Sequence, residues 1–197
     1  SLLASARAVN QHLKVTEDDR FMVALPLYHV GGFGVVARAY DAKCHVSALQ
    51  GRWNAREFKE AVESDHSTVA SLVPTQVHDL VKLGLEAPES LRAVVVGGGK
   101  LNEKEGQCAR DLGWPVLQSY GMTEAGSQIA TATLASLDEP FQAVPLPILP
   151  IWEFRTSKAG CLEFRGSALC KYYIEKDREE LCCRKAGDKE GWFSSSD

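Results

Sequence analysis

The stretch Gln118-Ser119-Tyr120-Gly121-Met122-Thr123-Glu124-Ala125-Gly126-Ser127-Gln128 joins an apolar β-type segment at 114–117 to a second apolar segment at 129–131. An aromatic ring, a glycine, a hydroxyl and a carboxylate stand within five positions of one another. The glycine allows a ligand to approach the backbone, the hydroxyl can donate to an anionic oxygen, and the carboxylate can bind Mg²⁺. These residue types suit a nucleotide phosphate that carries magnesium. A simple turn after a strand is the competing interpretation.

Short apolar runs alternate with segments of helical spacing along the first 130 residues. The helices are predicted near 2–13, 33–40, 54–62, 75–83 and 102–112, and the strands near 21–25, 44–46, 68–73, 91–96 and 114–117. This alternation is typical of an α/β fold in which a mostly parallel sheet is covered by helices, and that is the fold class we predict.

The pattern changes after residue 137, where four prolines interrupt the segment 140–150. Residues 152–155 and 161–165 then alternate between apolar and polar side chains, which predicts a β-hairpin. We therefore expect an α/β subdomain at 1–137 and a Pro-rich linker with a small β subdomain at 138–197.

Three further stretches place glycines or polar side chains at the ends of predicted strands, where ligands bind in open α/β sheets. They are PLYHVGG at 26–32, SLVPTQ at 71–76 and VVVGGGKL at 94–101. A lone histidine is more often structural than functional, and helix capping explains Ser71 or Thr75 equally well. The glycine stretch lacks both the GxGxxG and the P-loop spacing, so we expect Lys100 to be an exposed lysine rather than a Walker lysine.

The composition excludes several classes of protein. With 22 Lys and Arg against 26 Asp and Glu, the net charge of −4 argues against a nucleic-acid partner. No apolar run approaches the roughly 20 residues of a membrane span. The six cysteines show no zinc-ligand spacing, and reduced thiols in a cytoplasmic protein are the interpretation we favour over a metal site or a disulfide framework.

The four motifs PLYHVGG, SLVPTQ, VVVGGGKL and QSYGMTE resemble, in order and spacing, those of the adenylate-forming (AMP-binding) superfamily of acyl-CoA synthetases. The tail GWFSSSD resembles the GWFxTGD segment of the same family. The resemblance covers nearly the whole chain and is strongest to the o-succinylbenzoate–CoA ligases of menaquinone biosynthesis. It implies an enzyme that joins an aromatic or other carboxylic acid to ATP, with Mg²⁺, to give an acyl-adenylate. Coenzyme A, the co-substrate, then displaces AMP.

The resemblance also implies roles for individual residues. Thr123, Glu124 and His29 would be catalytic, with Glu124 holding the metal, Thr123 donating to the phosphate and His29 lying near the acyl carboxylate. The implied nucleotide contacts are Gly98, Gly99, Lys100, Ser119, Tyr120, Gly121, Met122, Thr123 and Asp197. The implied acyl contacts are His29, Gly31, Ser71, Thr75, Gly97, Gln118 and Ser127. Tyr120 would stack on adenine, and Asp197 would accept the ribose hydroxyls.

The sequence also departs from the family pattern. The phosphate loop would precede residue 1, and the domain with the catalytic lysine would follow Asp197. Ser195-Ser196 replaces the usual Thr-Gly. We expect these 197 residues alone to form acyl-CoA poorly or not at all.

Several alternatives stay open at this point. They are a ligase for another aryl or fatty acid, an inactive binding module that keeps the pocket, and a flavodoxin-like or nicotinamide-binding domain. The absent GxGxxG counts against the last of these. A homo-oligomer is compatible with the sequence.

Overall fold

A computed structural model describes residues 2–157, 160–177 and 180–195. Six strands form the central sheet: β1 (Arg20–Val23), β2 (His45–Ala48), β3 (Val69–Leu72), β4 (Ala93–Val96), β5 (Val116–Met122) and β6 (Ser127–Thr131). Their order is β2-β1-β3-β4-β5-β6. The first five run parallel, and β6 pairs with β5 in the antiparallel sense. The predicted α/β fold with a mostly parallel sheet is confirmed.

Five helices cover this sheet: α1 (Leu2–His12), α2 (Val30–Ala42), α3 (Ala55–Asp65), α4 (Pro74–Lys82) and α5 (Glu103–Asp111). Asn54 and Asn102 cap α3 and α5, and each side chain accepts hydrogen bonds from two N–H groups in the first turn. The predicted start of α2 at Phe33 was three residues late, because His29 caps the helix and its first turn includes Gly31 and Gly32. A Cβ on Gly32 would lie 2.3 Å from the Pro26 carbonyl oxygen, so only glycine fits there.

The alternation of side chains along the strands separates the core into two faces. Met22, Leu72 and Val96 point toward α3, α4 and α5, where they pack with Phe58 and Leu80. On the other face, Phe21 and Val23 pack against α2, while Val95 and Leu117 belong to a cluster with α1. Because both faces are buried, these strands read as continuous apolar runs in the sequence.

The predicted hairpin at the C-terminal end is also present. β7 (Trp152–Thr156) and β8 (Leu162–Gly166) are antiparallel, and β11 (Phe193–Ser194) pairs with β8. Trp152 and Phe164 pack in the same cluster as Val9 and Leu117 of the α/β part. The division of the chain at residue 138 remains a prediction.

A second hairpin, β9 (Tyr172–Asp177) with β10 (Glu180–Lys185), did not emerge from the sequence pattern. Its strands carry many charged residues and lack a regular apolar alternation. The six cysteines are all free thiols. None of the helices in the described part of the chain is long and apolar enough to cross a membrane.

We predict that Asp65→Asn destabilises the protein in a pH-dependent manner. Partial burial of Asp65 disfavours its charge, but bonds from Ser67, Ser47 and Arg20 outweigh this effect and lower the pKa to about 2. The carboxylate therefore contributes stability above pH 4 and loses it as the pH falls toward 2. After allowance for solvent screening, we expect a loss of about 1 kcal/mol at pH 7.

Urea unfolding at pH 7, 4 and 2.5 measures this loss, which should shrink at the lowest pH. Asp18→Asn, an exposed turn residue, is the control and should change the free energy of unfolding by less than about 0.5 kcal/mol. An Asp65→Asn effect that is equal at all three pH values would contradict the assignment.

Candidate functional site

A cavity of about 720 Å³ opens where β1, β3 and β4 end, with β5 along one side. Parallel strands end at the same edge of a sheet, so the motifs PLYHVGG, SLVPTQ and VVVGGGKL lie beside QSYGMTE at this edge. Of the residues considered from the sequence, those that line the cavity are His29, Gly31, Ser71, Thr75, Gly97, Gly98, Ser119, Gly121, Met122, Thr123, Glu124 and Ser127. Gly99, Lys100, Tyr120 and Gln118 do not line it. Asp197 lies outside the described residues.

Most of the QSYGMTE motif is part of the sheet rather than a loop after a strand. β5 continues through Met122, a 3₁₀ turn covers Thr123–Ala125, and β6 returns from Ser127. The pairing shifts register between Tyr120 and Gly121. A Cβ on Gly121 would lie 1.8 Å from the Ser127 carbonyl oxygen, which makes glycine necessary. This bulge presents Thr123 and Glu124 to the cavity.

Gln118 forms hydrogen bonds to the glycine-containing loop at 97–101 and does not line the cavity. Its Oε1 accepts a hydrogen bond from Leu101 N at 2.7 Å, and its Nε2 donates to Gly99 O at 3.0 Å. The side chain is buried, and its amide is committed to the backbone. Ser119, the next residue, does line the cavity, and its hydroxyl donates to Val96 O at 3.2 Å.

Tyr120 and Lys100 differ in their surroundings. The half-buried Tyr120 ring packs against the core cluster that contains Leu117 and Ala125, on the other side of β5 from Ser119. Lys100 is exposed, as predicted from its position after the glycines. Gly98 has φ of +75°, a conformation that favours glycine.

His29 has both a structural contact and a position at the cavity. Its Nδ1 accepts a hydrogen bond from Gly31 N at 3.1 Å, which caps α2. A neutral imidazole that accepts at Nδ1 carries its proton on Nε2. His29 can therefore act as a hydrogen-bond donor to an oxygen atom of a bound molecule while it holds the start of the helix.

Arg38 is the main cavity residue that the sequence analysis missed. It is 2% exposed and lines the cavity from α2, and its Nη2 donates to Ser71 Oγ at 2.8 Å. Burial lowers its pKa to about 10, so the guanidinium is charged at neutral pH. No carboxylate forms an ion pair with it within residues 2–157, 160–177 and 180–195, and its buried Nε has no partner. A lone arginine in the apolar helix GGFGVVARAY was the available signal.

Trp53 and Gln76 also line the cavity, and both side chains are tied to the protein. Trp53 Nε1 donates to Asp79 Oδ2 at 2.8 Å, and its ring lies 5.2 Å from Phe58. Gln76 accepts from Val73 N at 3.0 Å and donates to a backbone carbonyl after β1 at 3.1 Å. They form a fixed wall rather than a free hydrogen-bonding surface.

Known proteins with similar sequences include 2-succinylbenzoate–CoA ligases. The Enterococcus faecalis protein is 27% identical over 207 residues, which cover 99% of this chain and 41% of that protein. The Bacillus pumilus protein is 30% identical over 202 residues, which cover 98% of this chain and 40% of that protein. The chain thus spans about two fifths of the length of these relatives.

Solved structures show the same similarity. The o-succinylbenzoate CoA synthetase of Bacillus subtilis, in complex with the acyl-adenylate intermediate OSB-AMP, superposes with a TM-score of 0.83 and 26% identity. The match covers 98% of this chain and 41% of that one. The same enzyme in complex with ATP and magnesium ion gives a TM-score of 0.79 and 25% identity, over 98% of this chain and 44% of that one.

A family model described as AMP-binding enzyme matches residues 1–152, which include all four motifs and every described residue that lines the cavity. This match leaves the flavodoxin-like and nicotinamide-binding alternative without support. The similar sequences, the similar structures and the family model agree with one another. The chain belongs to the AMP-binding enzyme family.

Proposed function

We propose that this chain is the acyl- and adenylate-binding part of an ATP-dependent acid–CoA ligase of the o-succinylbenzoate type. The observation that carries the proposal is Arg38, a buried cation that lines the cavity without a carboxylate partner among the described residues. Burying an unpaired charge is costly, so a bound anion that pairs with the guanidinium gains a large interaction. An acid with two carboxylates can present one to Arg38 and keep the other for activation.

This argument favours o-succinylbenzoate, which has two carboxylates, over a fatty acid. A fatty acyl chain in the same cavity would press hydrocarbon against the guanidinium and leave it unpaired. The two relatives compared above are named for the same acid, which supports the choice.

The cavity wall formed by β5 and its turn is assigned to the nucleotide. Thr123 would donate its hydroxyl to a phosphate oxygen, and the backbone at Gly121 and Met122 lies open to the ligand. Gly98, which lines the cavity just after β4, would offer its peptide group to the nucleotide. Contacts from Gly99, Lys100 and Tyr120 remain predictions, since these three residues do not line the cavity. The contact from Asp197, which lies outside the described residues, is likewise a prediction.

Glu124 is the residue that fits a magnesium ion. No cluster of three or more His, Cys, Asp or Glu side chains suited to a metal is found in the described part of the chain. Proteins commonly hold Mg²⁺ through one or two carboxylates together with substrate phosphates and water, and Glu124 would supply such a carboxylate. When bound with ATP, the ion would neutralise phosphate charge.

The residues of this chain would then act by orientation and charge stabilisation. Arg38 and His29 hold the acid so that one carboxylate oxygen faces the α-phosphorus. That oxygen forms a new P–O bond while the bond to pyrophosphate breaks, and Thr123 donates to the charge that develops on the phosphate. In the second step, the sulfur of coenzyme A bonds to the acyl carbon and AMP leaves, while the thiol proton passes to solvent.

Ligand-induced thermal stabilisation tests this proposal. We expect a non-hydrolysable o-succinylbenzoyl-adenylate mimic to raise Tm, because a ligand that binds only the native state stabilises it by about 2.7 kcal/mol at one hundred times Kd. A fatty acyl-adenylate mimic, the matched control, should give a smaller shift. Equal shifts would contradict the choice of acid, and no shift with either mimic would contradict the proposed binding function.

Catalysis by these 197 residues is a separate question. We expect little AMP and acyl-CoA formation, and rapid formation of both would contradict that expectation. The cytoplasmic location and a homo-oligomeric state also remain predictions.

A further inference from the structure

The β9–β10 hairpin contacts the proposed metal-binding residue. Tyr173, in β9, donates its hydroxyl to Glu124 Oε1 at 2.8 Å. Three residues earlier, Cys170 N donates to the Glu124 backbone carbonyl at 2.7 Å. Tyr173 of the hairpin therefore contacts the side chain of a residue 49 positions earlier in the sequence. Cys170, which precedes β9, contacts the main chain of the same residue.

The Tyr173 ring is itself held in place by the hairpin. Arg184, which is opposite Tyr173 in the antiparallel register, places its guanidinium carbon 4.5 Å from the ring centroid. Arg184 also donates to Glu175 Oε1 at 3.1 Å, and Glu175 lies on the same face of β9 as Tyr173. The contacts run from Glu175 through Arg184 and Tyr173 to Glu124.

The Tyr173 hydroxyl donates to only one of the two oxygen atoms of the Glu124 carboxylate. Its bond occupies one carboxylate oxygen, Oε1. Within the described residues, no hydrogen bond or ion pair involves Glu124 Oε2, so that oxygen is available for a cation.

We propose that Tyr173 is a positioning residue, which fixes the Glu124 carboxylate so that Oε2 faces the cavity. This inference rests on the proposed function, because it assigns Oε2 to the magnesium ion of the nucleotide. Removing a group that orients a metal-binding side chain typically lowers metal affinity by about 10- to 100-fold.

The first test measures the side chain of Glu124 without any ligand. Tyr173→Phe removes the hydroxyl and keeps the ring that Arg184 covers, and Tyr172→Phe is the matched control at an exposed neighbouring position. We expect NMR relaxation of the Glu124 side-chain methylene to show lower order in Tyr173→Phe and no change in Tyr172→Phe. Unchanged order in Tyr173→Phe would overturn the proposal.

A second measurement applies even if Tyr173→Phe does not fold. In Glu124→Gln the tyrosine is intact, but the acceptor has lost its charge. The pKa of Tyr173, followed by NMR of its ring in both proteins, should be lower in Glu124→Gln than in the unsubstituted protein, because the bond to the carboxylate raises it. It should stay above an ordinary tyrosine value, because burial still raises it. An unchanged pKa would show that the pair is not formed in solution.

A third measurement separates this inference from the proposed function. The Mg²⁺ concentration required for half-maximal thermal stabilisation by ATP should rise about tenfold in Tyr173→Phe. If Glu124→Gln leaves the Mg²⁺ dependence unchanged, the metal assignment in the proposed function fails. The NMR comparison would then still decide whether Tyr173 orders Glu124.

Discussion

Arg38→Met is expected to stabilise the free protein and to remove its preference for an acyl group with a second carboxylate. The two effects have opposite signs because they concern different states of the same cavity. In the free protein, the buried guanidinium has no carboxylate partner among the described residues, so an apolar side chain of similar length removes a desolvation cost. We expect the free energy of unfolding to rise by about 1–3 kcal/mol.

In the complex, the same substitution removes the proposed charge-assisted hydrogen bonds to the ligand. A bond to a charged group contributes about 1.5–3 kcal/mol, which corresponds to roughly a 10- to 100-fold loss of affinity. The affinity for a fatty acyl-adenylate mimic should not fall and should instead rise. The measured discrimination between the two mimics would therefore decrease or reverse.

Urea unfolding and calorimetric titration of the two mimics measure these effects. Arg7→Met is the matched control, because Arg7 is exposed on α1 and pairs with Asp41 at the surface. It should change the free energy of unfolding by less than about 0.5 kcal/mol and leave ligand discrimination intact. If Arg38→Met destabilises the free protein and keeps its preference for the dicarboxylic mimic, Arg38 is a structural residue and the choice of acid fails.

Gly121→Ala is expected to lower the free energy of unfolding by about 3 kcal/mol or more. The new methyl group would lie 1.8 Å from the Ser127 carbonyl oxygen and 2.8 Å from Gln128 Cα. Both atoms belong to the backbone of β6, so no side-chain rotation can relieve the overlap. The β5–β6 pairing would have to shift, and with it the turn that carries Thr123 and Glu124.

Gly99→Ala is the matched control for this substitution. Its new methyl group would meet only the Pro74 ring, with Cγ at 3.5 Å and Cδ at 3.9 Å, which are ordinary contacts. The φ of Gly99 is not in the left-handed region. We expect a change of less than about 1 kcal/mol. Chemical denaturation of both variants gives the comparison, and similar stabilities would show that the bulge at Gly121 can relax.

The centre of the sheet was predictable because β1, β3 and β4 are buried on both faces and are followed by proline or glycine. The start of α2 was placed too late because glycine is a poor helix former, yet Gly32 is required where the helix meets the Pro26 carbonyl. The β9–β10 hairpin was missed since its strands are exposed and are held by side-chain pairs such as Arg184–Glu175. The periodicity of apolar residues shows neither the need for glycine at the start of α2 nor the side-chain pairs of the hairpin.

The sequence predicted that the four motifs lie together at one edge of the sheet. It did not predict which of their side chains point into the cavity. Gln118 and Ser119 are neighbours in one motif, and only Ser119 lines the cavity. The role of Gln118 depends on a loop 17 residues away in the sequence. Arg38 was missed because the sequence shows an arginine in an apolar helix but does not show that its side chain is buried.

The hydrogen bond from Leu101 N to Gln118 Oε1 makes amide hydrogen exchange at Leu101 a measure of how often the cavity opens. This amide is buried and is held by one side chain, so its proton should exchange with solvent only when the loop at 97–101 separates from β5. The exchange rate of this amide proton would then report how often the loop at 97–101 separates from β5. A ligand that touches Gly98 and Ser119 together would slow that exchange without contacting Leu101 itself.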